Sequence, residues 1–164
     1  MGTATAGGLC ALLLVGIVSP VLLPDEWRML PMAVFHAFCH QLADRSPHVD
    51  GIQLAVCWRC MGFYAGLVGG ALLLPLVGRG DAWINGNAKW LLLGALVIMG
   101  ADWAGPQVGY WDNTWASRMT TGLLLGTVAG YLFARALAVA FRGQPKFDES
   151  AFEREAPIHP TQTT

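Results

Sequence analysis

The chain has 164 residues and a net charge of −1, enough for one compact unit but not for two domains with linkers. Apolar residues make up 54% and charged residues 13%, about half the charged share of a soluble domain, so neither nucleic acid nor an anionic membrane surface is indicated as a partner. Twenty glycines and seven tryptophans suit helices packed in lipid with aromatic anchors at the interfaces, and four cysteines are too few for a disulfide scaffold.

The first apolar stretch, from about Thr5 to Leu23, carries no charge and approaches the roughly 20 helical residues that a bilayer core takes. A cleaved signal peptide is the alternative. No Lys or Arg precedes the stretch and no small-x-small site follows it, so a retained span is expected. Pro24 to Pro31 then form a turn at the interface, and Met32 to Leu42 are apolar on one face, which predicts a short helix lying along the membrane surface. Further spans follow at about 56–77, 88–104 and 118–141, and the polar, Pro-bearing stretch 143–164 is expected to be a mobile tail. The predicted fold is all-α and polytopic, with four transmembrane helices in a membrane domain over residues 1–142.

Orientation follows the distribution of Lys and Arg. Four spans put both termini on one side with Arg79, Lys89, Arg135, Arg142, Lys146 and Arg154, and leave Arg28, Arg45, Arg59 and Arg118 on the other. Six against four predicts cytoplasmic termini and an outward-facing Cys/His segment, in a plasma membrane of prokaryotic type.

Two of the spans carry matching glycine ladders, Gly62-x3-Gly66-x3-Gly70 and Gly122-x3-Gly126-x3-Gly130. A spacing of four sets each trio on one narrow stripe where another backbone can approach. Close packing within the chain is the expected use, with a tandem repeat of helix pairs or a homodimer as alternatives.

The chemistry concentrates between Phe35 and Cys60. His36, Cys39 and His40 share one side of the predicted short helix, and Cys57 and Cys60 form a C-x2-C pair at the start of the next span, where the positive helix end favours thiolate. Cys57 and Cys60, with a Cys-His pair drawn from Cys39 and His36 or His40, make a ligand set suited to zinc, with copper or iron also possible. Asp44 or Asp102 could orient the histidine from behind. The competing readings are a structural disulfide (Cys57–Cys60 or Cys39–Cys57), a redox-active pair, and thiols packed as small apolar groups. Cys10 is expected to be ordinary packing, and His48 and His159 to be solvated.

The four-span topology brings a second polar cluster to the same side, comprising Arg45, Arg59, Asp102, Asn113 and Arg118. A carboxylate near the end of an apolar helix is expensive unless paired. Arg118 is the expected partner of Asp102, with Arg59 or Arg45 as alternatives. The cluster is either a structural ion pair or a polar pocket above the metal. Trp103, Tyr110, Trp111 and Trp115 are expected to form an interfacial belt rather than a stacking box.

Cys39-His-Gln with Arg45-Ser46, then Cys57-x-Arg-Cys60 with Gly62-x-Tyr64-x-Gly66, resembles the small membrane proteins of domain-of-unknown-function family 2085. Asp102, Asn113, Arg118 and Gly122 match the same pattern, and the resemblance covers about Phe35 to Gly130. It implies that Cys39, His40, Cys57 and Cys60 act as one unit. His36 lies outside the pattern and is held in reserve as a ligand, and Met61 replaces a small or hydroxyl residue. The expected role is structural, or that of a subunit in a larger membrane complex. A membrane thiol–disulfide oxidoreductase using Cys57 and Cys60 is the alternative. No general base, nucleophile or substrate pocket is visible to argue for an enzyme, and a transporter would need charges deeper in the spans than Asp102 and Arg135.

Overall fold

The structure is a computed structural model that describes the backbone of residues 2–77 and 80–142 and the side chains of residues 8, 12–77 and 80–140. Cys10, Arg79, Arg142, Lys146, Arg154, His159 and the tail at 143–164 lie outside the described residues or side chains. The chain is mostly helical: α1 Gly2–Leu22, α2 Met29–His36, α3 Trp58–Val77, α4 Asp81–Gly86, α5 Ala88–Gln107 and α6 Trp115–Arg142. Among the described residues three helical stretches are long and apolar enough to cross a membrane, namely Trp58–Val77, Ala88–Gln107 and Trp115–Ala140. The described side chains of α1 give a shorter apolar helix, Leu12–Leu22.

The glycine ladders settle how α3 and α6 meet. A Cβ on Gly62, Gly66 or Gly70 would collide with the carbonyls of Met119, Leu123 and Thr127 in turn. A Cβ on Gly122, Gly126 or Gly130 would strike those of Arg59, Phe63 and Leu67. The register advances by four on both helices together, so the two run parallel with backbone against backbone. Each stripe is filled by the other within one chain, and neither is free to face a second copy.

The short helix α2 ends at His36, six residues before the predicted limit at Leu42. Phe38 and Cys39 both donate to the Phe35 carbonyl, at 3.0 and 2.9 Å, which tightens the last turn. Gln41 then takes a left-handed backbone with φ +50°, a conformation non-glycine residues seldom adopt. Its side-chain amide donates to the carbonyls of Met32 at 2.8 Å and Ala55 at 2.7 Å, while Gln53 donates to the Gln41 carbonyl at 2.7 Å. Satisfied backbone carbonyls on both sides hold the strained residue in place.

Between Ser46 and Cys57 the chain forms a two-residue-strand hairpin, β1 His48–Val49 with β2 Ile52–Gln53. Asp50 (φ +50°) and Gly51 (φ +80°) make the turn, a pairing suited to a type I′ hairpin. The hairpin departs from the all-helical expectation, and the Asp-Gly dipeptide is the sequence signal for it. Below it, Ile17, Phe35, Cys39, Leu54, Ala55 and Val56 form one buried cluster, with Cys57, Cys60 and Tyr64 packed against it. Phe35 lies on Gly16 of α1, where the ring comes within 3.2 Å of a hypothetical Cβ, and meets Tyr64 edge-on at 5.9 Å. This knot ties α1, α2 and α3 together beneath the loop that carries Cys39.

Candidate metal centre

The sulfur atoms of Cys39, Cys57 and Cys60 lie within 4.8 Å of one another, and all three are free thiols. Cys39 reaches them from the turn after α2, Cys57 from the residue before α3, and Cys60 from the first turn of α3. The Cys57 backbone N–H donates to Cys39 Sγ at 3.2 Å, so a free amide at a helix start serves an adjacent sulfur. Hydrogen bonds from the Cys39 and then the Cys60 thiol pull the Cys57 thiol far below the ordinary thiol range, with burial opposing them. A site that favours one thiolate among three sulfurs is chemically suited to a soft or borderline cation. Tetrahedral zinc with Zn–S bonds of about 2.3 Å holds its sulfurs about 3.8 Å apart, so the three thiols fit such an ion with small side-chain rotations.

The helix end at His36 separates the predicted ligands. His36 is exposed on α2, and Cys39 is buried at 3% exposure in the turn beyond it. His40 is exposed and lies outside the three-thiol group, though it lines a cleft of about 260 Å³ that Cys57 also lines. The histidines therefore do not share a helical face with Cys39. Asp44, a candidate for orienting the histidine, is 72% exposed and sits 3.4 Å from Arg45.

Of the second cluster, four members form one network. Arg59 pairs with Asp102, whose side chain is only 9% exposed. The Asn113 amide donates to the Asp102 backbone carbonyl at 2.7 Å and to its carboxylate at 3.3 Å. Arg118 Nε donates in turn to Asn113 Oδ1 at 2.9 Å, and the Thr121 hydroxyl stands 3.5 Å from the carboxylate. The partner of Asp102 is thus Arg59, and Arg118 acts through Asn113. Arg45, Arg59, Asn113 and Arg118 all line the cleft beside Cys57, with Trp103 and Gln41 among their neighbours.

Two contributors have roles that spacing does not show. Gln41 stands in the Cys39-His-Gln motif, but nothing in that motif marks its backbone and amide as what fixes the Cys39 turn. Asp81 accepts from Tyr131 at 2.8 Å and Arg135 Nε at 2.7 Å, tying α4 to α6 at the end of the bundle away from the thiols. Arg135, and secondarily Tyr131, hold the Asp81 carboxyl below the usual carboxylate range. The opposite charges were visible in the sequence, but nothing in their spacing of 54 residues linked them.

Comparison with known proteins adds a family. The model of the family described as "predicted membrane protein", domain of unknown function 2085, matches residues 39–132. An uncharacterised protein of Methanocaldococcus jannaschii is 33% identical over 110 residues, which is 65% of this chain and 70% of the relative. No solved structure matches.

Proposed function

We infer that this chain, which belongs to the domain-of-unknown-function 2085 family of membrane proteins, holds a transition metal at one membrane boundary through Cys39, Cys57 and Cys60. The convergence of three free thiols from two separate segments within 4.8 Å carries this reading. A structural disulfide would consume two sulfurs and leave a third beside it, whereas one cation uses all three. Zinc is the favoured ion, because a thiolate-rich, four-coordinate site suits it.

The fourth position falls to His40, next to Cys39 in sequence and on the same cleft as Cys57, once its ring turns inward; His36 stays in reserve. The role is structural: the ion staples the turn after α2 to the start of α3, and the chain works as a membrane protein or as a subunit of a larger membrane complex. The topology that accompanies this reading has α1 as a fourth span, α2 along the membrane surface, cytoplasmic termini and an outward-facing thiol site. The C-x2-C pair at the start of α3 favours a second reading, in which Cys57 and Cys60 cycle between dithiol and disulfide.

Metal content and thiol counts on full-length protein purified without chelator decide between the two. The expected result is one zinc per chain with all thiols reduced, lost in Cys39→Ser, Cys57→Ser and Cys60→Ser and weakened in His40→Ala. Metal-free protein with a reducible Cys57–Cys60 bond would overturn the metal reading and leave the redox one.

A further inference from the structure

We propose that the cleft beside the thiols is an oxyanion site that takes a phosphate group, gripped by Arg45, Arg59 and Arg118. Three guanidinium groups from separate parts of the chain line one cavity of about 260 Å³, with Asn113 and His40. Each has donor capacity to spare. Arg59 gives Nη2 to Asp102, yet its Nε is buried with no hydrogen-bond partner among the described residues. Arg118 gives Nε to Asn113, and among the described residues no carboxylate pairs with it. Among the described residues the Arg45 side chain pairs only with Asp44, in an exposed contact at 3.4 Å, and such contacts are weak and easily exchanged.

The number of guanidiniums selects the ligand. One planar fork satisfies a carboxylate, which offers two oxygens. Three forks from different directions suit a tetrahedral group with three terminal oxygens and up to two negative charges. Of the carboxylates in contact with these guanidiniums, Asp102 is turned into the Arg59–Asn113 network and Asp44 lies in solvent. The cleft lies where the ends of α3, α5 and α6 meet, so a lipid headgroup and a soluble phosphate share the chemistry it would recognise. The inference stands on the cleft and not on the metal.

The test titrates full-length protein in a nonionic detergent with inorganic phosphate at constant ionic strength, read by calorimetry. Saturable one-site binding is expected, weakened at least tenfold in Arg118→Gln and in Arg45→Gln, the latter a half-exposed position that leaves the fold intact. Metal content of the same samples is expected to be unchanged in Arg118→Gln, so failure here is separable from failure of the metal reading. In vesicles, phosphatidic acid displacing inorganic phosphate where phosphatidylcholine does not would identify a headgroup as occupant. Undiminished phosphate binding in both vesicles would identify a soluble one, and either result supports the site. No saturable binding, equal affinity in both variants, or acetate binding as tightly as phosphate would overturn the proposal.

Discussion

Asp102 is the residue on which the polar network turns, because a carboxylate 9% exposed near a helix end stays charged only while its partners surround it. Replacing one member of a buried ion pair leaves the other uncompensated and costs about 3–5 kcal/mol, whereas replacing both with apolar groups is often close to neutral. Asp102→Ala should therefore destabilise the protein by several kcal/mol in thermal unfolding, and adding Arg59→Met should recover part of that loss. Additive losses in the double variant would mean that the pair is not coupled. The sequence announced that Asp102 needed a cation, but the expected choice, Arg118, gives way to Arg59. Arg59 and Arg118 both begin helices on the same side of the membrane, and only the parallel packing of those helices decides which guanidinium arrives first and which acts through Asn113. His40 illustrates the opposite limit. Its proximity to Cys39 is evident in sequence, yet the direction of its ring depends on the left-handed turn at Gln41, which no periodicity encodes.

At the scale of elements, the helices were largely legible because lipid leaves few options. Backbone groups must be satisfied within each segment, so long apolar runs become helices. The predicted spans at 56–77, 88–104 and 118–141 differ from α3, α5 and α6 by no more than three residues at either end. The ladder glycines likewise foretold close approach, and their collisions with facing carbonyls identify α3 and α6 as each other's partners. A large side chain in that seam must force the helices apart, and overpacking of this kind costs about 1–3 kcal/mol. Gly126→Leu should lower the melting temperature clearly, while Gly94→Leu on α5, where a Cβ meets nothing within 4 Å, should leave it nearly unchanged. Equal effects would remove the seam from its central position. The short helix was the least legible element. Its apolar pattern continues past His36, but capture of the Gln41 amide by Met32 and Ala55 outweighs continued helix, a tertiary effect beyond the reach of local pattern.

For the whole molecule, the thiol cluster and the arginine cleft share one end of the helical bundle, while the Asp81, Tyr131 and Arg135 contacts lie at the other. If α1 crosses the membrane, the chain makes four passes and its two ends emerge together. Reporter domains fused to the N-terminus and after Arg142 should then give the same cytoplasmic signal, and a maleimide that does not cross membranes should reach cysteines placed at His48 or Asp50. Opposite signals from the two ends would leave three passes.

The parallel seam also carries a consequence for biosynthesis. Two neighbouring helices that point the same way cannot be joined by a short hairpin, so α5 must pass back through the membrane before α6 can be laid against α3. Until α6 emerges from the ribosome, the glycine groove of α3 faces lipid, and Asn113 and Arg118, which complete the rim of the cleft, have yet to take their places. The thiols of Cys39, Cys57 and Cys60 are all synthesised before that point. Their site can therefore assemble early on the first half of the chain, while the cleft above it is closed only by the last helix to be made.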